Sequence, residues 1–445
     1  MTFARAAAAA IGLPPELLDR VRATRPAWSS TLPVADLAID AVAVASVAID
    51  HVAAARGSAP GGDVRIDGAA VAASFGSDKV LRIDGATPDV WSPLSGFWRA
   101  ADGWVRTHAN YPHHAARLRA LLGTDDVARG VARWPALELE QAAIESGAIV
   151  AAVRDEARWR AHPHAQALAE LPLITATSAG DAAARSWPAQ GPLPLSGVRV
   201  LDLTRVIAGP VATRDLAHAG AEVLRIDAPG LPEFAWQHLD TGHGKRSALL
   251  DLAADREAFE RLLAGADVLV TGYRPDALAR FGLDPADLAE RRPGLVTARI
   301  SAWGSEGPWA HRRGFDSIVQ ATTGIAMRES RDGETPGALP VQALDHASGH
   351  LLAAAVAAAL ARQRAAGGSP HVEIALARVA QELLAAPPAD RREPAETGLP
   401  SHVTRVPGGP LLTHAPPILA FAGAPDRFAP PRPWGADPAE WRTAP

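Results

Sequence analysis

Between Val198 and Trp303, short apolar runs alternate with helix-patterned stretches. VRVLDLT is followed by helical VATRDLAHAG and AEVLRID, then SALLDL, helical DREAFERLLAGA and DVLVTGY, and after a further helix GLVTARISAW. Strand runs this continuously apolar belong to a sheet covered on both faces, and strands that alternate with helices pair in parallel. The pattern therefore predicts an α/β fold with a Rossmann-like parallel sheet. Its first strand ends at Arg205, Val206 and Ile207, and Ala208, Gly209 and Pro210 turn the chain into a helix. Backbone N–H groups left open at such a turn can hold an anionic or nucleotide-like ligand.

The flanking sequence has a different texture. An Ala-rich helical pattern covers Val34 to Ala55, the turn-rich GSAPGGD follows, and DVRIDGAAVAASF reads as a short strand and a helix. The same order returns where HLLAAAVAAALARQRAAGGSP runs into HVEIALARVAQELL, so Asp63–Ala73 and His371–Gln381 read as two copies of one motif. Trp91 to Ala184, rich in Trp, His and Arg, reads as a smaller mixed α+β lobe. The connector SWPAQGPLPLSG sets a boundary near Gly191. From Pro387 onward Pro is too frequent for long regular elements, and an extended tail wrapping over another lobe is expected.

Composition removes several classes of function. The 445 residues contain no cysteine, which excludes disulfides, thiolate nucleophiles and Cys-ligated metals and suits a reducing, cytoplasmic location. A net charge of -5 with scattered Lys and Arg argues against a nucleic-acid partner. The Ala run near the N-terminus is too weakly apolar for a signal segment. Asp36, Asp40, Asp50 and His51 interrupt the most apolar early stretch, so no membrane span is expected.

Several residues carry candidate chemistry, each beside a structural alternative. Asp227 closes a strand where NAD enzymes place an acid on the ribose, yet the G-x-G-x-x-G spacing is absent, so an NAD-dependent oxidoreductase rests on the βαβ pattern alone. Lys245 and Arg246 follow a Gly-containing turn, displayed for a phosphate or simply solvated. Asp345 opens an Ala-rich helix running to about Arg364; it is either an N-cap or a carboxylate at the positive end of the helix dipole. His346 and His350 share a helix face without a third ligand nearby in sequence, so no metal site is expected. The 12 Trp residues serve as packing anchors or line a cleft.

Read together, LSGVRVLDLTRVIAGPVATRDLAHAGAEVLRIDAPG, GHGKRSALLDL, ADVLVTGYRPDALARFGLDPADL, RISAWGSEGP, GFDSIVQATTGI and LDHASGH resemble the class III (CaiB/BaiF-type) CoA-transferase family in its motif order. The resemblance is strong from about Leu195 to Leu384 and weaker from Val34 to Leu173, where the family's later half stands first, as in a circular permutation. It implies residues 1–75 as a helical segment like the family's post-catalytic helix and strand, 76–190 as small lobe and linker, 191–385 as the Rossmann-like CoA-binding lobe, and 386–445 as the Pro-rich tail.

The resemblance also implies chemistry. Asp345 matches the family's catalytic aspartate, which attacks an acyl-CoA thioester to form a mixed anhydride and then an enzyme-CoA thioester before CoA passes to an acceptor carboxylate. The helix N-terminus is expected to help the charge on the attacked carbonyl oxygen. Ile207, Ala208, Leu250, Tyr273, Arg280 and Arg313 fall where the family contacts CoA. The implied substrates are acyl-CoA and small carboxylic acids, with coenzyme A as substrate and product, no tightly bound cofactor, and a homodimer as the assembly. Racemases and isomerases of the family carry His where this chain has Phe315, which favours transfer. Two positions depart from the pattern: Gly272 replaces an Asn, and a glycine-rich loop expected near WSPLSGFW is reduced to Gly96. They keep open a second reading, a catalytically weak or inactive CoA-binding subunit of a hetero-oligomer.

Overall fold

A computed structural model describes residues 1–58, 61–189, 191–391 and 398–442. Ala59 and Pro60 of the predicted turn, Gln190 of the connector, and 392–397 and 443–445 of the tail lie outside the described residues.

The central layer is a seven-stranded sheet of β1 (Thr175–Ala179), β2 (Arg199–Leu203), β3 (Glu222–Asp227), β4 (Arg246–Leu249), β5 (Val268–Thr271), β6 (Val296–Ser301) and β7 (Ser369–Ala375). Their spatial order is β4-β3-β2-β5-β6-β7-β1. Strands β2 to β7 pair in parallel, with Val268 opposite both Val200 and Val296. β5 is buried at every position, as strands covered by helices on both faces must be. β1 comes from the stretch expected as small lobe and linker, and closes the edge by pairing antiparallel to β7, Thr175 opposite Glu373.

Two long alanine-rich helices, α1 (Val34–Ala55) and α5 (Ala343–Ala366), pack against each other, and α2 (Ala208–His218) packs on α5. Small side chains let the helix backbones approach closely, so nearly every residue of α5 is buried. At Gly349 a Cβ would stand 2.6 Å from the Ala208 carbonyl oxygen, so only glycine lets α5 lie this near the start of α2. Both α1 and α5 are long and apolar enough to cross a membrane by length and composition. Here 89% and 100% of their apolar windows are buried inside the protein.

Residues 94–152 form a separate small core, in which Leu118, Val105 and Leu139 pack beside a three-stranded sheet of Phe97–Arg99, Trp104–Thr107 and Val150–Ala152. The tail is less irregular than its proline content predicts: His402–Arg405 and Leu411–His414 form a hairpin that extends onto Arg82–Ile83. Beyond it the chain is extended and tied down, with the Trp441 indole N–H donating to Leu262 O at 2.8 Å and Asp437 accepting from Ser247 N at 3.0 Å.

Candidate active site

Asp345 is the third residue of α5, a position where helices leave backbone N–H groups unsatisfied. Its side chain is not the cap. The carboxylate of Asp316, first residue of α4 (Asp316–Thr323), accepts Leu344 N at 2.9 Å and Asp345 N at 3.0 Å through Oδ2. Its other oxygen accepts from the Gln320 amide, and Gln320 Oε1 in turn accepts Leu339 N at 2.9 Å, holding the segment that leads into α5. The Ala343 N–H goes to Val341 O and the His346 N–H to Gln342 O. The first turn of α5 is therefore fully bonded, and the expectation that its N–H groups assist a developing oxyanion is corrected: Asp316 already occupies them.

Freed from capping, the Asp345 carboxylate accepts no hydrogen bond from any described residue and lies in the wall between two cavities. Burial, and then the nearby charge of Asp316, push its carboxyl well above the usual range. Burial raises Asp316 to about 6 despite its hydrogen bonds. Two carboxyls this close and this dry resist carrying two charges at once.

The first cavity is a small chamber of about 40 Å³ between the small lobe and the sheet, lined by Trp91, His108, Tyr111, Phe234, Trp236 and Phe315 among others. Phe315 lies flat against His108, ring centroids 3.7 Å apart, and burial keeps that imidazole neutral. The second is a wider cleft of about 340 Å³ with four arginines in its lining, Arg205, Arg274, Arg312 and Arg313.

The turn that joins β2 to α2 separates the cavities, and it is held in an unfavourable shape. Val206 has φ +70°, a left-handed conformation rare for a β-branched residue and worth about 1–3 kcal/mol of strain. Buried Glu233 compensates: it accepts Val206 N at 3.1 Å, the Tyr111 hydroxyl, and Arg225 Nη2 at 3.2 Å. Burial alone would raise the Glu233 carboxyl, but Arg225 and Arg205 outweigh it and hold it low.

Of the residues expected to contact CoA, Ala208, Tyr273 and Arg313 line the open cleft together with Asp345, and Ile207 lines the chamber. Two do not join them. Leu250 is 7% exposed in an apolar layer with Phe259 and Leu224 and reaches neither cavity. Arg280 lines a separate shallow depression with Arg256 and Arg291. The cations of the KR pair are also placed otherwise than either sequence reading had them. Lys245 is buried, donating to Thr213 Oγ1 at 2.6 Å and Pro210 O at 2.8 Å beside Asp202, and burial lowers its ammonium to about 8. Arg246 is taken up by Glu222, Asp437 and the Glu440 carbonyl. Asp227 is unavailable to a ribose, because both its oxygens bind Arg225 at 2.8 and 2.9 Å.

His346 and His350 stack on Phe75, and His350 Nδ1 meets Asp215 Oδ2 at 2.6 Å, pinning α5 to α2. Gly96 donates its N–H to Thr107 Oγ1 at 3.2 Å within the small-lobe sheet. The functional partner that sequence reasoning missed is Asp316; an Asp opening a helix behind an aromatic, in GFDS, was its only local signal.

A family profile described as CoA-transferase family III matches residues 195–418, just over half of the chain. The chain belongs to this family. It is 37% identical over 207 residues to a probable fatty acyl-CoA transferase of Mycobacterium tuberculosis, covering 43% of this chain and 52% of that protein. To a succinate–glutarate CoA-transferase of Agrobacterium fabrum it is 33% identical over 212 residues, covering 43% and 53%. The chain thus spans about half the length of these curated relatives. Among solved structures, a hypothetical protein from M. tuberculosis aligns with TM-score 0.41 and 38% identity over 43% of this chain and 58% of that one. A CAIB/BAIF family protein from Brucella suis aligns with TM-score 0.40 and 26% identity over 49% and 65%.

Proposed function

We propose that this family III chain moves coenzyme A from an acyl-CoA to a carboxylic acid, with Asp345 as the nucleophile. The observation that carries the reading is the unbonded Asp345 carboxylate at the junction of an arginine-lined cleft and an aromatic chamber. The cleft suits the anionic, elongated CoA moiety, and the chamber suits the acyl group.

The Asp345 carboxylate attacks the thioester carbonyl, the C–S bond breaks, and an aspartyl-acyl anhydride and CoA thiolate result. The thiolate attacks the aspartyl carbonyl, releasing the donor acid and leaving an aspartyl-CoA thioester. The acceptor carboxylate attacks that thioester, giving a new anhydride and thiolate; attack of thiolate on the new acyl carbonyl yields the product acyl-CoA and restores Asp345. No net proton moves. The Asp316 charge keeps electron density on Asp345 high, which favours its attack once it is ionised.

The permuted order of halves belongs to the same proposal, supported by the helix, strand and helix order of Val34–Ala55, Val64–Ile66 and Gly68–Phe75 recurring in α5, β7 and Leu376–Ala385. A homodimer is the proposed assembly.

A racemase reading gains one observation: His108, from the small lobe, lines the chamber with Asp345 although position 315 is Phe. The two readings separate by mass spectrometry. Transfer gives a hydroxylamine-sensitive adduct on Asp345 with acyl-CoA alone and loses it in Asp345→Ala. Deuterium entry beside the thioester carbonyl, without any such adduct, would refute transfer in favour of racemisation.

A further inference from the structure

The chamber behind Asp345 carries a charge pattern that CoA transfer does not itself require. Four of its lining side chains are acids, Asp78, Asp240, Asp316 and Asp345, and none is lysine or arginine. Asp316 and Asp345 are accounted for above. Asp78 and Asp240 are not: Asp240 is 4% exposed and accepts the Ser77 hydroxyl at 2.6 Å, and half-buried Asp78 lies near enough that the two acids repel. Burial raises both carboxyls, and Arg214 beside Asp240 and Lys79 beside Asp78, which stand outside the chamber lining, only partly offset it. Lys79 Nζ donates to Pro340 O, Arg214 donates to the backbone carbonyl of Asp240, and Arg106 lies over the rings of Trp91 and Phe97.

A second observation points to a ligand. Gln237, 6% exposed, lines the same chamber, and its Oε1 accepts no hydrogen bond among the described residues. A buried amide oxygen of this kind is costly unless a donor meets it. Trp91, Trp236, Phe234 and Phe315 add an aromatic lining, in which the Trp91 ring already carries Arg106 and the Phe315 ring is stacked on His108. Among the described residues, no three acids or imidazoles converge as a metal site.

We propose that the chamber is an acyl pocket for a carboxylic acid whose far end carries a protonated amine, and that it disfavours dicarboxylic acids. The ammonium donates to Gln237 Oε1 and faces Asp78 and Asp240 across the aromatic wall. A second carboxylate there would be buried among acids with no cation in the lining. This inference rests on the transfer reading for its name as an acyl pocket, while the binding preference stands independently of turnover.

The test offers the full chain acetyl-CoA and equal amounts of three acids matched in length, 6-aminohexanoate, heptanoate and pimelate, and reads the acyl-CoA products by mass spectrometry. Calorimetry of the three free acids reads binding without transfer. The amine-bearing acid is expected to lead heptanoate by roughly tenfold, with pimelate last. Asp78→Asn and Asp240→Asn are each expected to draw 6-aminohexanoate and heptanoate toward equality. Pimelate or heptanoate bound as well as 6-aminohexanoate would overturn the proposal. If no acyl-CoA forms with any acid, the transfer reading falls, and the calorimetric order alone decides the chamber.

Discussion

Asp316 caps the helix that Asp345 would otherwise have had to cap: its carboxylate takes the Asp345 backbone N–H at 3.0 Å, and the Asp345 side chain is left without a bond. The arrangement carries a stability penalty at neutral pH. Both carboxyls hold their protons more tightly in the folded chain than the usual value near 3.8, so their contribution is fully present below about pH 3.8; the Asp316 share is lost as pH rises through about 6, and the Asp345 share is lost as pH rises through its own raised value. Asp345→Asn is expected to stabilise the chain at pH 7.5 by on the order of 2 kcal/mol, with the gain vanishing near the low end. Urea melts of the two proteins across pH 3.5 to 7.5 check it; a destabilised variant at pH 7.5 would contradict it.

Asp316→Asn keeps an oxygen to accept one helix N–H but removes the charge that helps raise Asp345. The carboxylate form of Asp345 is the attacking one, so the acid limb of kcat/KM is expected to move to lower pH by about one unit. A pH–rate profile with the limb unmoved would show that Asp316 serves the helix alone.

The cleft arginines and Arg280 are expected to differ. Arg313 lines the cleft, and Arg313→Ala should raise KM for acyl-CoA by about tenfold with kcat nearly retained, the signature of lost uniform binding. Arg280 sits in its own depression with its guanidinium 4.6 Å from the Phe281 ring, and Arg280→Ala should change KM by less than about threefold. Steady-state kinetics on both variants decides whether the depression belongs to the CoA path.

Gly349→Ala places a methyl against the Ala208 carbonyl and Val211. α5 or α2 must move, and the AGP turn at the head of α2 moves with it. A loss of about 1–3 kcal/mol and a lower kcat/KM are expected together, checked by denaturant melts and kinetics. Lost stability with unchanged kcat/KM would mean that the turn tolerates the shift.

The parallel sheet was legible because a strand covered on both faces is buried at every position and mostly apolar, as VLVT of β5 is. Thr175–Ala179 was not: TATSA has no apolar run, and it becomes a strand only because β7 presents an unpaired edge to it. Asp345 was legible only through LDHASGH and its family, since spacing alone left it a cap. What overturned the cap was Asp316, 29 residues away in sequence. Lys245 and Arg246 were misjudged for a similar reason. Their exposure is set by Asp202 and by the tail residue Asp437, neither of which is near them in sequence.

The antiparallel edge strand β1 precedes the connector, while its partner β7 lies about 170 residues beyond it. A protease nick introduced between Pro188 and Leu193 would therefore cut the backbone without separating the halves. The first piece keeps α1 and an outer strand, the second keeps α5 and the remaining six strands, and each lacks apolar surface that the other supplies. The severed chain should elute as one species, its pieces parting only in denaturant.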